Sequence, residues 1–152
     1  MSDERAEQVS EQNKKTVITF IEAFSRGDAE AVKTCLARDA VTIAKGFGEL
    51  SGPRPYELII ATTAAFKETI PTGLRPKFLS IMAEGDRVAV EFEGNATLAN
   101  GENYCNQYCM MFTLEAGLIK LVHEYYCTIL ADERILPLLA KVEAQRKIAG
   151  TA

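Results

Sequence analysis

The side chains best suited to chemistry are three glutamates in the second half of the chain, Glu91, Glu93 and Glu124. Turn residues between them predict consecutive antiparallel strands, and the register that these turns favour places all three side chains on one face. In this register Tyr108 lies opposite both Glu93 and Glu124. A carboxyl group in apolar surroundings has a raised pKa and can act as an acid or base near neutral pH. We therefore predict Glu124, Glu93 and Tyr108 as catalytic residues.

A structural role is the alternative for each of these glutamates. Glu124 would then form a hydrogen bond with Tyr108 or with a backbone group, while Glu91 and Glu93 would lie on a solvated edge of the sheet. The residue pattern alone leaves both interpretations open.

Three turn motifs separate the strands that carry these residues. Asn100-Gly101 supplies two residues that tolerate positive φ, as a two-residue type I′ hairpin turn requires. Gly85 and Gly117 mark the flanking turns. The motifs predict a four-stranded antiparallel meander with strands at 78–83, 88–99, 102–114 and 118–128.

Helices are predicted before and after this meander in the sequence. Gly27 and Asp28 mark the boundary between the first two helices, and Asp132 is predicted to begin the last one. Helices segregated from an antiparallel sheet predict an α+β fold, in which a curved, cone-shaped sheet is wrapped by N-terminal helices and encloses a pocket. Apolar residues recur with helical spacing at 17–24, 32–36, 59–70 and 135–142.

Composition is that of one ordinary globular domain. The chain has 152 residues, 47% of them hydrophobic and 25% charged, with a net charge of −4. This charge argues against a nucleic-acid partner, and no apolar run is long enough for a membrane span. The charged N-terminus lacks a signal peptide's apolar stretch, so a cytoplasmic location is expected. We predict a flexible extension at 1–14, a single domain at 15–140, and a helix end and tail at 141–152.

Three of the four cysteines lie on the face of the predicted sheet opposite the glutamates, Cys105, Cys109 and Cys127. We predict that they are small apolar residues and that this face is buried. The register pairs Cys105 with Cys127 and Cys109 with His123. Cys105 and Cys109 would lie about 13 Å apart, too far for a shared zinc ion, so we expect no metal. A Cys105–Cys127 disulfide is disfavoured in a reducing cytoplasm. For His123, a place in an interface is favoured over a nucleophilic pair with Cys109.

Two segments resemble a known family. Residues 20–28, FIEAFSRGD, resemble the opening helix and turn of the nuclear transport factor 2-like superfamily. Residues 88–128, with GNATL at 94–98 and HEYY at 123–126, are similar to its SnoaL-like branch of ketosteroid isomerases, polyketide cyclases and limonene-epoxide hydrolases. The resemblance covers about 15–139. It implies a cone-shaped, cystatin-like fold, a small apolar ligand inside, and a homodimer formed through the outer face of the sheet.

The resemblance also bears on the reaction. Glu124 matches the catalytic aspartate of the epoxide hydrolases, whereas Glu91 stands where that branch has an arginine and Glu93 where it has an aspartate. The tyrosine and the general base of ketosteroid isomerase would fall on Phe20 and Ala44. Neither reaction is therefore predicted, and polyketide cyclase chemistry stays open.

The resemblance further implies that the face with the glutamates lines the cavity. We expect a neutral, mostly hydrophobic ligand with one or two carbonyl or hydroxyl groups, because the carboxylates would repel an anion and no cation except Lys45 is expected nearby. The alternative is that the apolar members of this set form only a core. The predicted ligand-binding residues are Phe20, Phe24, Phe66, Met82, Glu91, Asn106, Met110, Phe112 and Tyr126.

Two functions therefore remain in view. The first is an isomerase, cyclase or hydrolase that uses carboxylate acid–base chemistry without a metal or organic cofactor. The second is a non-catalytic ligand-binding or protein-interaction domain of the same fold. The face predicted to form the homodimer carries Val88, Val90, Phe92, Met111, Ile119, Leu121 and Tyr125.

Overall fold

A computed structural model describes residues 2–151, which form helices around one curved, open sheet. In chain order the elements are α1 Asp3–Ser25, α2 Ala29–Cys35, β1 Leu36–Ala44, β2 Gly52–Pro55, α3 Tyr56–Thr69, β3 Lys77–Glu84, β4 Arg87–Thr97, β5 Asn103–Glu115, β6 Leu118–Tyr126, α4 Thr128–Arg134 and α5 Leu136–Thr151. The six strands have the order β2-β1-β6-β5-β4-β3. All neighbours are antiparallel except β1 and β6, which are parallel. The predicted α+β class is confirmed, and β1 and β2 add to the predicted four-stranded meander.

Aromatic contacts join the helices to the concave side of the sheet. The Phe20 ring of α1 meets the Phe112 ring of β5 edge-on, with centroids 5.8 Å apart. Phe24 packs against Phe66 of α3 at 4.8 Å. These offset and edge-to-face geometries add to the stabilisation that comes from burying apolar surface. The core therefore lies between the helices and the sheet, as the cone-shaped fold requires.

The boundary between α1 and α2 is set as the sequence predicts. Gly27 has φ +74°, and a Cβ there would lie 2.7 Å from the backbone nitrogen of Lys67, so only glycine fits. The Asp28 carboxylate caps α2 by accepting a hydrogen bond from the Ala31 amide at 3.0 Å. At its other end, α1 already begins at Asp3, within the segment predicted as an extension.

The predicted facing of β4 is wrong, because the hairpin between β4 and β5 has a different loop. The Leu98 amide donates to the Glu102 carbonyl, which leaves a three-residue loop at 99–101 rather than a two-residue Asn-Gly turn. Gly101 has φ +85°, while Asn100 does not have positive φ. This is the three-residue hairpin type with a left-handed residue at its end. The extra residue turns β4 over, so Phe92 points into the cone and Glu91 points outward.

The side chains near the C-terminal end of β6 point to the predicted face, although the register of this strand is not the predicted one. The real two-residue turn is Ala116-Gly117, where both φ angles are positive. A bulge then shifts the register further, so that Tyr108 pairs with Tyr126 rather than with Glu124. The net displacement there is two residues, and an even displacement preserves the face. Glu124 therefore points inward as predicted.

The remaining face assignments follow from these shifts. Met82 pairs with Ala89, on the same face of β4 as Glu91, so the turned-over β4 takes Met82 to the outer face, where it is 66% exposed. The predicted dimer face is wrong in part, because Val88, Val90, Phe92 and Ile119 are buried in the core. Met111, Leu121 and Tyr125 do lie on the outer face.

The cysteine predictions are corrected as well. Cys109 pairs with Tyr125 rather than His123, because the β5–β6 register is displaced by two residues. Cys105, Cys109 and Cys127 are exposed, and only Cys35 of the four free cysteines is buried. Within residues 2–151, no helix combines the length and the apolar character that crossing a membrane requires.

Candidate functional site

A narrow cavity lies between the concave face of the sheet and helices α1, α3, α4 and α5. Its volume is about 60 Å³, enough for only a few water molecules. Its lining is mainly apolar, with a small group of polar side chains on the strands, which is typical of small-molecule sites. Its lining residues are Phe20, Ile21, Phe24, Ser25, Thr42, Leu50, Arg54, Ile59, Thr62, Phe66, Ile70, Leu74, Phe92, Tyr104, Tyr108, Met110, Glu124, Tyr126, Ala131, Ile135 and Leu139.

Glu124 is the one carboxylate on this wall among residues 2–151. It lies on β6 opposite Met110 of β5, and 6% of its surface is exposed. Burial raises the pKa of the Glu124 carboxyl, because the charged form loses its hydration, while the Arg54 charge partly counteracts this. The group is therefore a stronger base than an exposed glutamate.

Arg54 supplies a positive charge that the sequence analysis missed. It lies on β2 opposite Thr42, whose side chain also faces the cavity. Its Nη1 is 3.7 Å from Oε2 of Glu124, and its Nη2 donates to the Leu50 carbonyl. The flanking Pro53 and Pro55 lie in this short edge strand, where proline is tolerated, and α3 begins directly after Pro55.

The loop between β1 and β2 closes one side of the cavity. Asp132 holds it in place, since its carboxylate accepts hydrogen bonds from the backbone amides of Glu49 at 2.8 Å and Leu50 at 3.2 Å. Asp132 was predicted to begin the last helix, but it lies inside α4, which begins at Thr128. Because Leu50 lines the cavity and its carbonyl binds Arg54, the loop also positions the charged pair.

Three tyrosines, Tyr104, Tyr108 and Tyr126, form the polar wall beside Glu124, and the Asn106 amide lies behind this wall. Asn106 donates to the Tyr104 hydroxyl at 2.8 Å, and Tyr108 donates to the same oxygen at 3.3 Å. Burial raises the pKa of Tyr108 well above its usual range. Burial, with the nearby Glu124 charge, raises the pKa of Tyr126 to about 12. All three phenols therefore keep their protons at neutral pH, since burial raises the pKa of Tyr104 too.

The structure brings most of the predicted site residues together and separates three of them. Phe112 and Asn106 are buried next to the cavity without lining it. Glu91 and Met82 lie on the outer face, and Glu93 lines a separate polar groove there with Arg75. The predicted residues that line the cavity are Phe20, Phe24, Phe66, Tyr108, Met110, Glu124 and Tyr126.

Tyr104 and Phe92 were missed for different reasons. Tyr104 lies two and four residues before Asn106 and Tyr108, so strand alternation was a signal that could have placed it on their face. Phe92 was assigned to the outer face by the incorrect hairpin, yet its ring stacks on Tyr108 with centroids 4.8 Å apart.

The arrangement supports proton transfer within an apolar enclosure. One buried carboxylate can accept or return a proton, one guanidinium can stabilise its charged form, and phenol groups can donate hydrogen bonds. Among the side chains described, no three His, Cys, Asp or Glu residues are grouped so that they could hold a metal ion.

Several solved structures share this fold. Bal32a, from a soil-derived mobile gene cassette, is 21% identical over 82% of this chain and 97% of its own, with a TM-score of 0.70. TerC, co-crystallised with polyporic acid, is 19% identical over 82% of this chain and 98% of its own, with a TM-score of 0.68. A protein of Catenulispora acidiphila with a ketosteroid isomerase-like fold, in complex with trimethylamine, is 16% identical over 77% of this chain and 90% of its own, with a TM-score of 0.64.

At these identities the structural likeness establishes the fold alone. The search of curated proteins gives no match. The sequence profile of the SnoaL-like domain, however, matches residues 17–122, which is more than half of the chain. The chain therefore belongs to the SnoaL-like family of the nuclear transport factor 2-like superfamily.

Proposed function

We propose that this protein binds a small, mainly apolar molecule in its cavity and that Glu124 transfers a proton to or from it. The observation that carries the proposal is the buried Glu124 carboxylate in a mainly apolar cavity, paired with Arg54. The reaction class is a cofactor-independent isomerisation, cyclisation or hydrolysis, each of which needs a positioned acid or base.

The electrostatics of the pair suit a base. Burial raises the pKa of Glu124, which makes its ionised form more basic, and Arg54 keeps that form accessible. The protonated form can then return the proton to another atom of the same ligand. Tyr108 would position Tyr104 rather than exchange protons with the ligand, because its hydroxyl donates to the Tyr104 oxygen and burial raises its pKa well above its usual range.

The size of the cavity constrains how a ligand enters. A volume of about 60 Å³ is smaller than most drug-sized molecules require, so a larger ligand must displace side chains or the loop that carries Leu50. Burying an apolar ligand body against Phe24 and Phe66 would contribute roughly 25 cal/mol per Å². The ligands in the TerC and Catenulispora acidiphila structures support the use of this fold for small molecules.

A test of the base uses 5-nitrobenzisoxazole, whose ring opens to a coloured phenolate when a base removes its C–H proton. We expect turnover that rises with pH through the raised pKa of Glu124. Glu124→Gln should lower turnover roughly 10²–10⁴-fold. Glu93→Gln, on the outer face, is the matched control and should leave the rate unchanged. Equal rates in Glu124→Gln and the unchanged protein would remove Glu124 from catalysis.

A non-catalytic binding protein is the second candidate. Ala44 and Glu91 favour it, since the ketosteroid isomerases have their general base and the epoxide hydrolases an arginine at these positions. In that case Glu124→Gln would leave ligand affinity within a few-fold and no turnover would be measured. The two candidates therefore differ in turnover rather than in affinity.

We also infer a homodimer formed through the outer face of β1, β6 and β5. Its apolar residues are half-buried or exposed, with Tyr125 45% exposed. Exposed apolar surface of this kind is typical of subunit interfaces. Sedimentation at micromolar concentration should give a dimer, and Leu121→Glu should give a monomer; a monomeric unchanged protein would contradict the inference. The apolar residues of this face are Val41, Ile43, Met111, Leu121 and Tyr125.

The cytoplasmic location stays a prediction.

A further inference from the structure

Tyr104 is a buried hydrogen-bond donor on the wall of the cavity. Tyr104 is 3% exposed, and it lines the cavity together with Tyr108 and Glu124. Its oxygen accepts two hydrogen bonds, from Asn106 Nδ2 at 2.8 Å and from the Tyr108 hydroxyl at 3.3 Å. A phenol oxygen accepts about two hydrogen bonds and donates one. Both accepting positions of Tyr104 are therefore occupied.

The orientation of the Asn106 amide is fixed by backbone groups. Its Oδ1 accepts from the Gln107 amide at 2.8 Å and from the Cys127 amide at 3.2 Å, so that atom must be the oxygen. Its Nδ2 donates to the Cys127 carbonyl at 3.1 Å and to Tyr104. Asn106 thus has no donor left for a ligand, and its bond to Tyr104 cannot reverse by an amide flip.

The Tyr104 proton has no acceptor among residues 2–151. Leaving a buried donor unpaired is unfavourable, and a ligand oxygen would relieve that cost. Accepting two hydrogen bonds also polarises the O–H bond and strengthens it as a donor. The ring cannot turn away freely, because its oxygen is held from two sides.

We propose that the Tyr104 hydroxyl donates to a carbonyl oxygen of the ligand, so that the cavity selects aldehydes, ketones or quinones over molecules without an acceptor at that position. This rests on the proposed function only in requiring that the cavity holds a ligand; it is independent of proton transfer by Glu124. Tyr108 and Asn106 act through Tyr104 and are positioning residues.

The test compares acetophenone with α-methylstyrene, which replaces the carbonyl oxygen by a CH₂ group of similar shape. Dissociation constants are measured for both by calorimetry or NMR titration. The ratio of the two constants matters, because it cancels differences in apolar burial between variants. We expect Tyr104→Phe to shift this ratio roughly ten-fold toward α-methylstyrene. Tyr108→Phe, which keeps the Tyr104 proton, should shift it much less.

Infrared spectroscopy provides a measurement without a variant. The C=O stretch of ¹³C-labelled acetophenone bound to the unchanged protein should lie at a lower frequency than in an apolar solvent, because a hydrogen bond weakens the C=O bond. A bound carbonyl with the frequency found in an apolar solvent would overturn the proposal, even if Tyr104→Phe failed to fold.

The other outcomes are equally decisive. An unchanged ratio in Tyr104→Phe, or a ratio that moves only in Tyr108→Phe, would show that Tyr104 is not the donor while leaving the cavity as a binding site. If neither compound binds in the cavity, the proposed ligand-binding function and this inference fail together.

Discussion

Arg54 Nη1 lies 3.7 Å from Glu124 Oε2, at the polar end of an otherwise apolar cavity. The two side chains come from strands β2 and β6, which do not pair with each other, since β1 lies between them. Because both side chains are largely buried, the attraction between their charges is screened less than that of a surface pair. Arg54 therefore favours the ionised form of Glu124, against the larger effect of burial on its pKa.

We expect Arg54→Gln to raise the pKa of Glu124 further, because it removes the one cause that lowers it. Titration of the Glu124 carboxyl by ¹³C NMR measures this directly. Arg134→Gln is the matched control, since Arg134 pairs with the half-exposed Glu102 outside the cavity. An unchanged Glu124 titration in Arg54→Gln would show that the pair has no electrostatic influence.

The stability of the protein should depend on pH through Glu124. Burial raises the pKa of this group in the folded state above its ordinary value of 4.5, so the folded chain binds the proton more tightly than the unfolded chain. The stabilisation from that proton is complete below the unfolded pKa and is lost as pH rises through the raised folded pKa. Glutamine resembles the protonated form at every pH.

Glu124→Gln should therefore unfold at a higher temperature than the unchanged protein near neutral pH. The difference should vanish below the ordinary value of 4.5, where Glu124 is protonated in both states. Calorimetric Tm values across this range check the sign. A Tm difference that is constant with pH would contradict the raised pKa, and Glu93→Gln serves as the control.

Asp132 should control how readily the loop over the cavity opens. Asp132→Ala removes the acceptor of the Glu49 and Leu50 amides. Because hydrogen bonds to a charged group contribute about 1.5–3 kcal/mol, we expect a measurable loss of stability and faster hydrogen exchange at these two amides. Glu133→Ala, the exposed neighbour on α4, is the control. Equal exchange in both variants would mean that other contacts hold the loop.

The ligand should be neutral, although the sequence predicts no cation on the wall except Lys45 and the cavity is in fact lined by Arg54. Arg54 is, however, already engaged by Glu124 and by the Leu50 carbonyl. Thermal-shift measurements with ketones and matched carboxylic acids should therefore favour the ketones. Stronger stabilisation by the acids would show that Arg54 leaves Glu124 to bind them.

The parts of the site that could be predicted are those that depend on local patterns. Strand alternation placed Tyr108, Met110 and Glu124 on one face, and helical spacing placed Phe20 and Phe24 toward the sheet. These assignments tolerate a register error of two residues, because a shift by two residues keeps each side chain on its face. For Glu124 the shift was indeed two residues.

The parts that could not be predicted depend on tertiary pairing. Arg54 lies on a four-residue strand between two prolines, too short to show alternation. It reaches Glu124 only because β1 pairs with both β2 and β6. Glu91 and Glu93 were misplaced because the sequence Asn100-Gly101 fits a two-residue turn as well as the end of a three-residue loop.

The three-residue loop at 99–101 also suggests how such a cavity could change its chemistry during evolution. Loss of one loop residue would turn β4 over relative to β5, since neighbouring side chains point to opposite faces. Glu91 and Glu93 would then enter the cone, and Phe92 would leave it. The two faces of a strand thus carry two alternative sets of cavity-lining side chains. Deletion of a single codon in a hairpin exchanges one set for the other. Changes in loop length are therefore a shorter route to a new pocket than stepwise substitution inside it.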